Sequence, residues 1–288
     1  MTKLTASDGA AGDYFGEAVS ISADTLVVSA YWNDDNGTDS GCAYVFYEEP
    51  INQPPLAQAS VEPYLASVNS TFTFDGRTSY DPDGTIDSHE WVFGDGGIGS
   101  GVSVTHSYDL PGIYEVVLTV TDNMGAEATD VVMAVVYDPD AGFATGGGWF
   151  IPGGPKSDDG DMLPGLDHTS PANFGFVVKY KPGATSPKGQ LEFQYQQGDF
   201  NLHSSGIDWL VIVNNNWAKF HGIATIKGLD GLYPFRVDAR DRDFSGGDQP
   251  DKFIIKVWDA GTDPDTDEPV YKASGDLEGG SIVIHAKD

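Results

Sequence analysis

Aspartates on tight turns are the residues of this chain best placed to do chemistry. The stretch "YDPDGTIDSHEWVFGDG" at 80–96 sets Asp81 and Asp83 one residue apart, around Pro82 and ahead of Gly84. Calcium takes about six to eight oxygen ligands at roughly 2.3 to 2.6 Å, so two such carboxylates plus backbone carbonyls make a partial shell. The same turn also stands without metal: Pro82 sets φ, Gly84 accepts a positive φ, and Asp81 caps the turn through its own backbone. A second acidic stretch, "DARDRDFSGGDQPDKF" at 238–253, carries Asp238, Asp241, Asp243, Asp248 and Asp251. These can wrap a cation, or Arg240 and Arg242 can neutralise them. Asp8, Asp13, Asp34, Asp35 and Asp39 form a third group that reads equally as solvated turns.

Covalent and acid–base catalysis find less support. His203, Ser204, Ser205 and Asp208 in "NLHSSGIDW" hold triad residue types, but no nucleophile elbow surrounds them and His203 lies in a strand-like alternation. The six histidines are scattered, without the paired helical spacing of a zinc enzyme. Cys42 in "SGCAYVFY" has no partner cysteine and no basic neighbour in sequence to activate it, so it reads as a packed thiol. The chain is therefore expected to be non-catalytic.

The elements that must hold these residues are strands. Of 44 acidic residues 34 are Asp and 10 are Glu, and Asp favours turns where Glu favours helices. With 36 Gly and 17 Pro among β-branched and aromatic runs, the composition describes short strands joined by tight loops, without an amphipathic helix. A formal charge of −29 repels nucleic-acid phosphates and anionic membranes, so neither is an expected partner. No run is long enough to span a membrane, and no signal peptide is visible.

Polar breaks divide the chain into 1–47, a linker at 48–55, a central module at 52–137, a linker at 138–145 and a module at 146–288. The first segment, through "GDYFG", "VSIS", "LVVSA" and "GCAYVF", resembles an FG-GAP repeat, the blade unit of integrin-type β-propellers. A lone blade buries too little apolar surface, so it reads as part of a longer parent or as leaning on a neighbour.

The central module, through "TFTFDGRTSYDPDGTIDSHEWVFGDG" and "VTHSYDLPGIYEVVLTVTDNMG", resembles a PKD domain. The resemblance implies an immunoglobulin-like β-sandwich, and calcium-binding members of that family would place ligands at Asn52, Asp81, Asp83 and Asp122. The residues agree on the fold: Tyr114, Val116, Leu118 and Val120 share one strand face, and Trp91 alternates with Phe93 as a core anchor. Val92 stands where the family usually has Asp.

The last segment has alternation in "FGFVVKY" and "LEFQYQ" and further runs at 207–213, 222–227, 233–238, 252–258 and 281–285. "GGGWF", "NLHSSGIDWLVI" and "GGSIVIH" make it similar to a C-terminal module of large secreted bacterial repeat proteins. The expected fold is all-β and modular: a blade-like sheet, an immunoglobulin-like sandwich, and a larger antiparallel β-sandwich or jelly roll.

Together these features imply a secreted or cell-surface protein for adhesion, spacing or attachment, stabilised by calcium. The alternative is an accessory region of a secreted hydrolase that binds extracellular polysaccharide or protein, with Trp149, Trp209, Trp217 and Trp258 as stacking candidates. Oligomeric state is not written in the chain.

Overall fold

The computed structural model describes residues 4–23, 25–33, 37, 40–47, 51–155, 160–181, 183–242 and 249–286. The chain divides into two compact units, Met1–Gln53 and Pro54–Asp288. The first unit is one antiparallel sheet of β1 (Phe15–Ser22), β2 (Thr25–Ala30) and β3 (Cys42–Tyr47), in that order. Val28 and Ala30 on the middle strand are buried, but Val19 and Ile21 on β1 are 57% and 73% exposed. Three strands cannot cover their own apolar face.

The second unit begins with a sandwich. One sheet is β4 (Ser60–Glu62), β6 (Thr71–Asp75) and β9 (Ser103–Ser107) in the order β4-β6-β9. The other joins β5 (Leu65–Ser67), β7 (Ile86–Val92), β8 (Ile98–Ser100), β10 (Gly112–Asp122) and β11 (Glu127–Tyr137) in the order β5-β11-β10-β7-β8. Alternation buries Val116, Leu118 and Val120 of β10, with Trp91 and Phe93, against Phe72 and Phe74 of the facing sheet. Phe74 meets Trp91 and Phe93 at ring centroids of 5.8 and 5.3 Å, and the Trp91 indole donates to the Gly101 carbonyl at 3.0 Å. Burial of the Trp91 ring and satisfaction of its N–H fix it as the sandwich anchor.

The run "AVVY" at the end of β11 is buried throughout because it serves two cores. Ala134 and Val136 face the sandwich, while Val135 and Tyr137 belong to the core of the next module. Tyr137 stacks on Tyr180 at 4.9 Å, and the Tyr180 hydroxyl accepts the Leu210 amide at 3.2 Å. A turn follows, and the next strand starts at Gly142, within the stretch whose composition suggested a linker.

That module is a single nine-stranded antiparallel sheet. Its strands are β12 (Gly142–Phe150), β13 (Ala172–Lys179), β14 (Lys188–Tyr195), β15 (Phe200–Val213), β16 (Trp217–Ile226), β17 (Tyr233–Arg240), β18 (Lys252–Val257), β19 (Tyr271–Asp276) and β20 (Gly279–Ala286). Their order is β19-β18-β17-β16-β15-β14-β13-β12-β20. Four strands separate β13 from β18, which in a flat sheet would set them about 24 Å apart at about 4.8 Å per strand. Phe174 of β13 nevertheless stacks on Phe253 of β18 at 3.9 Å. The sheet is rolled into a half-barrel, and the two layers expected from sequence are the two sides of this one sheet.

The seam of the roll is closed by carboxylates. The outward amides of edge strand β20 find Asp251 (Ile282 N to Oδ2, 2.7 Å) and Asp241 (Ile284 N to Oδ2, 3.1 Å) in place of a neighbouring backbone. Both aspartates are buried. The Gly148 of "GGGW" is required where β12 meets β20, since a Cβ there would lie 2.4 Å from the Gly279 carbonyl. Among the described residues the only helical element is the short turn Gln196–Gly198, and no helix is long and apolar enough to cross a membrane.

Candidate functional site

Two loops at one end of the sandwich bring the acidic turn residues together. The first precedes β7 and holds Asp81, Asp83 and Gly84; the second joins β10 to β11 and holds Asp122 and Asn123. They are tied by reciprocal bonds, Asn123 N to the Thr85 carbonyl at 2.9 Å and Thr85 N to Asn123 Oδ1 at 3.0 Å. Asp122 is buried, and its Oδ1 accepts the amides of Met124 (2.8 Å) and Ala126 (2.9 Å), holding the second loop closed.

Asp81 Oδ2 is sheltered from solvent and has no hydrogen-bond partner. A Cβ built on Gly84 would lie 2.5 Å from that oxygen and 2.2 Å from Asn123 Oδ1, so both oxygens face the small space above the glycine. Sequence assigned Gly84 to a positive φ; its φ is not among the positive ones, and the residue is required by space instead. Desolvation raises the Asp81 carboxyl above its usual range, and the charges of Asp83 and Asp122 push the same way. A cation placed there would reverse all three effects.

No set of three acidic, His or Cys side chains converges at ligand spacing among the described residues. An ion held there would meet mixed oxygen donors, Asp81 Oδ2 and the Asn123 amide oxygen, both beside Gly84. Hard oxygen donors of this kind fit calcium, which tolerates irregular shells. Asn123 was missed from sequence, although "TDNMG" places it next to Asp122. Asn52 belongs to the first unit and is half-buried, with a sheltered Oδ1.

The second acidic stretch does not gather into one site. Asp238 lies on the outer face of β17 and pairs with Lys219 at 3.5 Å. Asp241 points to the seam, and Asp251 accepts Arg242 N (2.9 Å) as well as Ile282 N. Asp243 and Asp248 lie outside the described residues, as do Asp34, Asp35 and Asp39. Asp8 accepts the Tyr44 hydroxyl, and Asp13 accepts Ala10 N at 2.7 Å.

The triad types are dispersed. Ser204 is buried and its Oγ accepts Leu191 N at 2.7 Å, exposed His203 approaches Glu192 at 3.4 Å, and Asp208 pairs with His221 at 2.9 Å. Of the tryptophans, Trp209 and Trp258 are buried, whereas Trp149 and Trp217 keep accessible rings.

Comparison with known proteins agrees with the reading of the first two segments. Residues 52–136 match the PKD domain family and residues 1–46 the FG-GAP repeat family. Collagenase ColA of Clostridium perfringens (strain 13 / Type A) is 48% identical over 80 residues, covering 28% of this chain and 7% of the relative. Microbial collagenase of Vibrio alginolyticus is 41% identical over 69 residues, covering 24% of this chain and 8% of the relative. The crystal structure of the PKD1 domain of Vibrio anguillarum Epp is 32% identical, covers 31% of this chain and 100% of that one, and superposes with a TM-score of 0.28. The matches thus span less than a tenth of the length of the curated relatives.

Proposed function

We propose that this chain, an FG-GAP repeat and a PKD domain followed by a β half-barrel, is a non-catalytic extracellular accessory region. In this reading it attaches a larger secreted protein to extracellular polysaccharide or protein and sets its distance from that support. The carrying observation is β11, whose alternate residues fill the cores of both sandwich and half-barrel. A wall shared by two cores makes the pair one stiff body rather than beads on a linker, which suits a spacer. The similarity of residues in the PKD segment to collagenases supports placing such a region on a secreted hydrolase.

Calcium has a structural role in this proposal, held by the Asp81–Gly84 and Asp122–Asn123 loops with no part in any reaction. An ion bound only by the folded state stabilises it by mass action. Co-sedimentation of the full chain with insoluble collagen and with insoluble polysaccharides tests attachment, alongside assays for hydrolysis of the same materials. Retention without hydrolysis is the expected result. Hydrolysis by the purified chain, or no retention on any support, would overturn the proposal. Calorimetry with and without chelator, paired with metal analysis, tests the ion separately.

A further inference from the structure

The outer face of the half-barrel carries a row of side chains that neither fill a core nor close the seam. Trp149 of β12, Asn173 of β13, Gln194 of β14 and Asn201 of β15 stand directly opposite one another across four adjacent strands. Three strand steps of about 4.8 Å make the row about 14 Å long. Trp149, Asn173 and Gln194 are exposed, and the Asn173 and Gln194 amides make no side-chain hydrogen bond among the described residues. The Trp149 ring, 38% exposed, lies across its cross-strand neighbour Gly279, where a Cβ would sit 2.6 Å from the indole nitrogen. Absence of a side chain at Gly279 lets the indole lie down on the sheet, which turns its other face to solvent.

At its far end the row opens into a cavity of about 330 Å³ whose polar lining is Glu192, Gln194, Asn201, His203, Thr225 and Lys227. Glu192, His203 and Thr225 form the next row, again in register across β14, β15 and β16. Just past His203, the register skips Ser205 between Ser204 and Gly206. Such a bulge bends its strand and re-aims side chains, which is why bulges gather beside functional sites. The charged members have partners within the chain: Glu192 lies 3.4 Å from His203, and Lys227 lies 2.8 Å from Asp199, which also accepts the Asn201 amide at 3.4 Å. In a chain of formal charge −29, this surface presents amides, a hydroxyl, an indole and paired ions.

We propose that this row and cavity bind a neutral polysaccharide, laid as an extended ribbon across β12 to β15, with one ring on Trp149 and the following hydroxyls on Asn173, Gln194 and Asn201. This rests on the accessory reading and names the polymer class and its site. A carboxamide donates and accepts at once, as a sugar hydroxyl does, so a row of amides matches a polyol without a surplus of either. The exposed indole face takes the C–H face of a sugar ring. An acidic polymer gains little here, because Lys227 is already paired and the field of the whole chain repels it. A stable protein partner needs about 800 Å² on each side with an apolar centre, and Trp149 is the one apolar side chain of the row.

The test is affinity electrophoresis of the full chain in hydroxyethylcellulose, glucomannan and polygalacturonate, with titration calorimetry on the polymer that retards it. The expected result is retardation by at least one of the two neutral polymers and not by polygalacturonate, with an affinity that changes less than twofold between about 0.1 and 1 M salt. Trp149→Ala and the double variant Q194A/N201A should each weaken binding at least tenfold. Trp217→Ala removes the other accessible tryptophan and should retain affinity within twofold. Thermal melts establish that the variants fold, and if one row variant does not, the other decides. Retardation by neither neutral polymer, stronger binding to polygalacturonate, unchanged affinity in a folded row variant, or an equal loss in Trp217→Ala would each overturn the assignment. Retention on collagen without binding to a neutral polymer sinks this inference and spares the accessory reading; retention on nothing sinks both.

Discussion

Asp251→Ala is the substitution that most directly tests how the half-barrel is closed. The Asp251 carboxylate accepts Ile282 N at 2.7 Å and Arg242 N at 2.9 Å, and the residue is 7% exposed. Hydrogen bonds to a charged group contribute about 1.5–3 kcal/mol each, and a buried amide stripped of its acceptor bears its full desolvation cost. Losing both bonds should destabilise Pro54–Asp288 by about 3–6 kcal/mol. At about 2–4 °C per kcal/mol for a body this large, the melting temperature should fall by roughly 6–24 °C. Asp251→Asn keeps one acceptor oxygen and should lose about half as much. Urea unfolding gives the free energy, and hydrogen exchange gives the location: the amides of Ile282 and Ile284 should lose protection before those of β10. A loss below about 1 kcal/mol, or unchanged protection at Ile282, would refute the idea that side-chain carboxylates replace a backbone ladder at the seam.

Tyr137→Ala removes a buried ring that stacks on Tyr180 and should cost about 3–5 kcal/mol. It should also split a single unfolding transition of sandwich plus half-barrel into two, visible by calorimetry. Gly84→Ala should weaken calcium binding at least tenfold, about 1.4 kcal/mol, because the new methyl displaces Asp81 Oδ2 and Asn123 Oδ1; titration calorimetry of wild type and variant measures it. Asp81 is raised in the folded state, so its contribution is fully present below the unfolded carboxyl pKa and is lost as pH rises through the folded value. Stabilisation by added calcium should accordingly be larger at pH 7 than at pH 4. Asp167 has the opposite sign. The Thr169 amide, then the Ser170 hydroxyl and amide, hold its carboxyl well below the usual range, so the stability it adds above that range is lost as pH falls. Asp167→Asn should flatten that part of an acid titration.

Much of the fold is legible residue by residue. The alternation of Tyr114, Val116, Leu118 and Val120, and of Trp91 with Phe93, predicts which side chains enter the sandwich; the structure buries all of these except Tyr114, which packs half-buried against that core. Asp81 and Asp83 are legible as turn residues because Pro82 and Gly84 surround them. The run "AVVY" was less legible. A continuous apolar stretch does not say which neighbour each side will meet, and here alternate residues enter different cores.

The sequence by itself determined the all-β character, the central sandwich and its anchor, and the crowding of aspartates at turns, because these depend on neighbours one to four positions apart. The tertiary structure decided the rest. The roll of the nine-stranded sheet carried Asp251 and Asp241 to the amides of Ile282 and Ile284, strand pairing drew residues 142–145 of the composition-based linker into β12, and the pairing of β16 to β19 gathered cations onto one face. Those outcomes depend on sheet curvature and strand order, which arise from contacts between residues tens to more than a hundred positions apart and leave no local periodicity to read.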